Sequence, residues 1–349
     1  RGLYDLNNVT YGGQMSATPS SSAAENPDLG WETNIKFNFG FDLNAFNRLR
    51  LVLDLYRNNI RNLITDISVP LETGYGKMPV NSGNMYNQGL DLSIAYQWLK
   101  QSKITWNSTL IGGWNRNKVT SFNNPLIEQY AANSSDNVGI GQRVGYSSTS
   151  LWGIKWGGVD PSTGVEQFYT PDGELLNRTE IRAMGQNAYQ LLGNSMPDFQ
   201  GSIINNLGWK GFQFTFNIQY NLGGNKFAST TYLRDGNNLA NSNMSVNLLD
   251  RWQNAGDITA IPKLNSSSPL NNSSRYLYSM TYLKLSNVSL SYRLADRLTK
   301  RIGIGQTALS FNVTNVLYWF KDKSPAGRNG IREYRFVYPE TRNFSIGLR

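Results

Sequence analysis

The chain has 349 residues, with 33 Lys and Arg against 24 Asp and Glu, a formal net charge of +9, and neither cysteine nor histidine. Those two absences exclude disulfide frameworks, thiolate chemistry, Ser-His-Asp triads and imidazole metal ligands. No apolar run approaches the roughly 18 residues of a membrane-crossing helix, which leaves barrel strands open as a route through a bilayer.

In chain order, a weak strand pattern at Leu3–Val9 comes first. "NIKFNFGFDLN" then sets Ile35, Phe37, Phe39, Phe41 and Leu43 on one face against Asn34, Lys36, Asn38, Asp42 and Asn44. Two-residue alternation means an extended strand with unlike faces. The pattern recurs in "RLRLVLDLY" from Arg48, in "LDLSIAYQW" from Leu90 and in "KITWNSTLIGGW" from Lys103. "FQFTFNIQY" at Phe212–Tyr220 is strict: Phe212, Phe214, Phe216, Ile218 and Tyr220 alternate with Gln213, Thr215, Asn217 and Gln219. "LSFNVTNVL" from Leu309 repeats it, and weaker strands fall at Phe199–Leu207, Tyr282–Tyr292 and Asn343–Leu348. That makes about ten strands, most near the 9–11 residues a tilted strand needs to cross a bilayer.

Connection lengths alternate between brief turns, such as "FN" at 46–47, and long loops at about 10–30, 64–85, 116–198, 221–281 and 318–342. This rhythm predicts an all-β, antiparallel transmembrane barrel with short periplasmic turns and long outer loops. A sandwich would show Greek-key connections without such parity. The apolar faces then meet lipid, with Phe37, Phe39, Phe41, Phe212, Phe214 and Phe216 as lipid-facing residues. Asn38, Asp42, Asp91, Asn107, Asn217 and Gln219 fall on the lumen-facing wall. Trp98, Trp106, Trp114 and Trp209, near strand ends, fit interfacial girdles.

"VDPSTGVEQFYTPDG" at Val159–Gly173 lacks calcium-loop ligand spacing. It reads as two tight turns bounding a hairpin arm at Val165–Tyr169. The basic clusters at Arg293–Arg301 and Lys321–Arg342 show no nucleic-acid-binding pattern. No cofactor, metal ligand set or opposed acid pair stands out. The start at Arg1, without a signal peptide or initiator methionine, reads as a processed product, a fragment or part of something larger.

The segments "NPDLGWETN", "VNSGNMYNQGLDLSI", "VGYSSTSLWGIKWGGVDPSTG", "PDFQGSIINNLGWKGFQFTFNIQYNLGG", "RWQNAGDITAIPKL", "YLKLSNVSLSYRL" and "YPETRNFSIGL" occur in this order. Together they resemble the SusC/RagA family of TonB-dependent outer-membrane receptors, and the likeness falls on the C-terminal part of the barrel. It implies a larger plugged barrel of about 22 strands, whose plug, TonB-contacting segment and earlier strands lie outside this sequence. The implied function is TonB-dependent nutrient import with a SusD-like lipoprotein lid, oligosaccharides being the foremost cargo and peptides the second. Outer-membrane lipid and lipopolysaccharide, the TonB complex and the remaining half of the barrel are the other implied partners; nucleic acid is not.

On that resemblance, candidate ligand or lid contacts are Trp152, Trp156, Phe168, Tyr169, Tyr232, Trp252, Tyr276, Tyr278, Tyr318 and Trp319, since sugar C–H faces stack on rings. The same aromatics could instead pin the loops together. The competing function class is a soluble β-rich carbohydrate-binding or adhesion module.

Overall fold

The computed structural model describes residues 4–11, 14–19, 23–100, 103–124, 142–227, 246–264, 270, 272–295, 297, 299, 303, 305–322 and 340–348. The first strands are β1 (Tyr4–Tyr11), β2 (Gln14–Pro19), β3 (Thr33–Ala45), β4 (Leu49–Ser68), β5 (Lys77–Lys100) and β6 (Ile104–Phe122). Short elements follow: β7 (Ser150–Gly153), β8 (Lys155–Val159), β9 (Glu166–Tyr169), β10 (Leu175–Asn177), helix α1 (Arg178–Ala183) and β11 (Gln190–Asn194). The chain continues through β12 (Phe199–Trp209), β13 (Phe212–Leu222), β14 (Asn225–Phe227), β15 (Leu277–Ser279), β16 (Tyr282–Arg293), β17 (Ala308–Phe320) and β18 (Asn343–Leu348).

Among the described residues, one sheet holds nine strands in the order β18-β17-β16-β13-β12-β6-β5-β4-β3. Each wall strand therefore pairs with the wall strands next to it in the chain, an up-and-down arrangement. The register of β6 through β18 is antiparallel throughout. Two of the brief turns are built from paired left-handed residues. Phe46 (φ 57°) with Asn47 (φ 53°) joins β3 to β4, and Lys210 (φ 45°) with Gly211 (φ 86°) joins β12 to β13. Such turns match the right-handed strand twist, which is why two-residue connections suffice.

Three expectations change. The first expected strand forms as β1, but it pairs with β2 in a separate two-stranded sheet, so the wall has nine strands. The expected loop at 64–85 is mostly strand: β4 runs to Ser68, β5 starts at Lys77, and residues 69–76 alone remain outside the ladder. In these extensions apolar residues fall at both parities, Ile64 and Val80 on one and Ile67 and Met85 on the other, so the alternation is lost while the backbone ladder continues. The loop expected from Arg116 begins after Phe122 for the same reason.

Two compact units divide the chain: residues 1–37, 56–88 and 116–148, and residues 38–55, 89–115 and 149–349. In the first, asparagine side chains tie segments to one another. The Asn81 amide donates to the Gly30 and Asn62 carbonyls and accepts from the Gly30 N–H, and Asn123 donates to the Asn81 carbonyl. A Cβ at Gly83 would stand 2.2 Å from the Ser121 carbonyl oxygen, so glycine permits that approach. These contacts explain "VNSG" at 80–83 as strand-clamping chemistry.

Candidate functional site

Cross-strand register gives the second unit's sheet two chemically opposite faces. One row runs Trp106, Leu207, Phe214, Leu290, Phe311 and Ile346 across β6, β12, β13, β16, β17 and β18. One residue along each strand, the row is Asn107, Asn206, Thr215, Ser289, Asn312 and Ser345. A row of apolar side chains on one face and a row of amides and hydroxyls on the other is how period-two strands separate two solvents.

The apolar face is open: Phe212 and Phe214 are exposed and Phe216 is half-buried; on β3, Phe37, Phe39 and Phe41 are exposed as well. Near the turn end, Phe212 lies against Tyr292 with ring centroids 4.4 Å apart and stacks with Trp209, while Trp98 meets Trp106 at 5.5 Å. The two indole N–H groups are satisfied within the wall, Trp98 donating to Ser108 and Trp106 to Asn205. A brace crosses the middle of this face. The Tyr220 phenol donates to the Ile111 carbonyl, lying where Cβ atoms at Gly112 and Gly201 would come within 2.6 and 2.7 Å of its oxygen.

Asn107, Asn217 and Gln219 share the polar face, by register. Asn217 Oδ1 is buried without a hydrogen-bond partner, and Gln219 sits opposite Lys284. Asp91 overlies Gly113, where a Cβ would come 2.9 Å from its carboxylate oxygen. Asn38, Asp42 and Asp91 are exposed. Near the far end of β16, the Lys284 ammonium lies 2.7 Å from Glu340, which also accepts from the Tyr318 hydroxyl. This trio gave no sequence signal because 56 residues separate Lys284 from Glu340.

Tyr318 and Trp319 cannot both reach one ligand. Register places Tyr318 with Lys284 on the polar face and Trp319 with Leu283 on the apolar face, where Trp319 is 56% exposed. Trp319 therefore lies on the opposite face of the sheet from Tyr318.

The two longest loops build a lobe. In it β8, β9 and β10 form a three-stranded sheet, β7 pairs with β11, and β14 pairs with β15. The turns expected at 160–164 and 171–173 are both formed. Asp160 accepts from the Ser162 N–H, the Ser162 hydroxyl and the Thr163 hydroxyl, and the Thr170 carbonyl accepts from the Gly173 N–H. Ile154, Phe168, Ile181 and Ala188 make the lobe's core, with Trp156, Leu176 and Tyr189 packed around them. Distant chain segments meet there: the Trp156 N–H donates to the Ser274 hydroxyl, and Arg275 pairs with Glu166 at 2.6 Å. The Trp252 indole donates to the Pro161 carbonyl and lies over Gly164.

This burial corrects four candidates. Phe168 (0% exposed), Tyr276 (2%), Trp152 and Tyr278 are interior residues of the lobe, so they brace loops and present no surface to a ligand. Trp156, Tyr169 and Trp252 are partly covered. Tyr232 and most of the basic loop, 323–339, lie outside the described residues.

Beside α1 a hollow of about 750 Å³ is lined by Asp160, Thr163, Gln167, Arg178, Thr179 and Arg182, among others. Burial first, then the neighbouring Arg182 charge, lower the Arg178 guanidinium from its ordinary value, with Glu166 opposing them.

A two-faced meander of this kind can be compared with known families. The model of the TonB-dependent receptor-like β-barrel family matches residues 2–316. The chain belongs to that family. Among its relatives, TonB-dependent receptor P39 of Formosa agariphila is 26% identical over 83% of this chain and 32% of the relative. TonB-dependent receptor SusC of Bacteroides thetaiotaomicron is 21% identical over 99% of the chain and 35% of its own length. A solved structure of the RagAB peptide importer in its open-open state matches all of the chain and 37% of its own, at 25% identity and a TM-score of 0.79. The closed-closed state gives a TM-score of 0.81, also at 25% identity, over all of the chain and 38% of its own. The chain thus spans about a third of the length of the receptors it matches. The SusC/RagA resemblance, the β-barrel fold and the outer-membrane location stand on these matches together with the nine-stranded sheet.

Proposed function

We propose that the chain forms the C-terminal wall strands and part of the outer loops of a TonB-dependent importer of hydrophilic oligomers. The paired rows carry this reading: the Phe214 row suits hydrocarbon and the Asn206 row suits a solvated path. The exposed phenylalanines of β3 and β13 then meet lipid. Asn38, Asp42, Asp91, Asn107, Asn217 and Gln219 line the lumen, where they solvate cargo or bond the plug. The earlier strands, the plug and the TonB contact come from the part of the receptor outside this sequence. A SusD-like lipoprotein covers the outer mouth, the lobe being the surface it would meet.

Oligosaccharide is the foremost cargo, because the amides and hydroxyls of the wall, with the carboxylates of Asp42 and Asp91, can meet sugar hydroxyls. Peptide is the second reading, favoured by the likeness to a peptide importer. The test is uptake by cells whose receptor carries this chain, with labelled oligosaccharide or labelled peptide, with and without TonB. TonB-dependent accumulation of either supports import and names the cargo. Equal accumulation without TonB would remove the importer reading, and a receptor that stays soluble without detergent would favour the adhesion-module alternative.

A further inference from the structure

We propose that the hollow beside α1 is a carboxylate-binding site in which Arg178 and Arg182 grip an acid group of a bound oligomer. The inference rests on the importer reading for the ligand's nature as an oligomer, and it adds a preference for acid groups that the wall, with its Asp42 and Asp91 carboxylates, does not supply. The two arginines stand four residues apart on α1, a spacing that puts their side chains on the same helix face. Like charges so placed destabilise a helix unless an anion lies between them.

The neighbouring acids make no ion pair with them, although Glu166 acts on Arg178 through its charge and Glu180 and Asp160 line the hollow. Glu166 is committed to Arg275 at 2.6 Å, Glu180 accepts the Asn177 N–H, and Asp160 accepts from Ser162 and Thr163. Among the described residues neither Arg178 nor Arg182 has a carboxylate within ion-pair distance. Arg178 Nε is buried and has no hydrogen-bond acceptor, a costly state for part of a charged group. A guanidinium fork is shaped for two parallel bonds to a carboxylate. Gln167 and Thr179, on the same hollow, add an amide and a hydroxyl that can meet neighbouring ligand hydroxyls or amides. The space, about 750 Å³, admits an oligomer end. Such an end is a sugar acid or an acidic peptide, which share the carboxylate.

Calorimetry on the whole receptor in micelles separates these. The probes are trigalacturonate and pentaglutamate, with an uncharged galactose trisaccharide and pentaglutamine as controls. At least one acidic probe binds the wild type more tightly than its control, and which one binds names the source. The paired substitution Arg178→Gln/Arg182→Gln weakens that probe about tenfold or more, in line with loss of charged hydrogen bonds. Arg178→Lys/Arg182→Lys, which keeps charge but not the fork, falls between. Binding of neither acidic probe to the wild type, or equal binding by the Gln variant, overturns the site. TonB-dependent uptake of the uncharged probes is measured separately, so a failed importer reading remains distinguishable from a failed site.

Discussion

Glu166 and Arg275 face each other with side chains only 3% and 8% exposed, inside a lobe with an apolar core at Ile154, Phe168, Ile181 and Ala188. Removing one partner leaves a buried charge uncompensated, which costs about 3–5 kcal/mol. Arg275→Met is therefore expected to loosen the lobe, seen as faster amide exchange in residues 150–194. Glu166→Leu/Arg275→Met, with no charge left to solvate, is expected to recover most of that protection.

Asp160 offers a gentler test. Hydrogen bonds from the Ser162 side chain first, then the Thr163 side chain, hold its carboxylate below the ordinary aspartate range. The folded value being depressed, the turn's stabilisation is complete above about pH 3.9, the ordinary value, and fades as pH falls through the lower folded one. Exchange of the 162–164 amides, corrected for intrinsic rates, is expected to be flat from pH 7 to 5 and to rise only in stronger acid. Asp160→Asn should remove that dependence. Little at this scale was legible in the sequence. Phe168 and Tyr276 read either as ligand contacts or as residues pinning the loops together, and a loop has no period to tell the two apart. The partnership of Glu166 with Arg275 spans 109 residues, beyond any local pattern.

At the scale of strands the sequence was far more informative. β3, β12, β13 and β16 fall within two residues of the expected bounds; β3 and β13 alternate along their length, whereas β12, with Ile204 beside Asn205, and β16, with a register shift beside Ser286, alternate less regularly and read as weaker strands. The upper parts of β4 and β5 escaped detection where apolar residues such as Ile64, Ile67, Val80 and Met85 fall on both faces, and β1 looked like a wall strand because pairing partners leave no mark on a short alternation. Tyr318 and Trp319 were grouped although adjacent strand residues must point oppositely. The two faces predict unequal tolerance. Phe214→Arg puts a charge on the apolar row and is expected to cost about 2–4 kcal/mol. Gln213→Arg, one residue earlier on the polar face, should cost little. Urea unfolding of the receptor in lipid, followed by Trp fluorescence, compares them directly. Gly201→Ala should also weaken the wall, since its Cβ would lie 2.0 Å from the Ile111 carbonyl oxygen beneath the Tyr220 brace.

For the whole molecule, the nine-stranded sheet ends at β3 on one side and β18 on the other. Unpaired edges of this length invite pairing with any available strand. The chain produced alone is expected to form edge-joined aggregates in micelles. Supplied with the receptor's remaining strands, it should migrate as a compact, detergent-resistant species, read by heat-dependent gel mobility. Monodisperse behaviour alone would contradict this account of the edges.

The stitching of Trp156 to Ser274, 118 residues apart, also sets a timetable. Residues 150–194 cannot close their lobe until 272–279 has come to them, and the hairpin of β12 and β13 lies between the two in the chain. Until then the Ile154 N–H and carbonyl lack their partners at Asn272 and Ser274. In refolding followed by pulsed amide exchange, Ile154 should gain protection together with Ser274 and later than the amides of the β8–β9 hairpin.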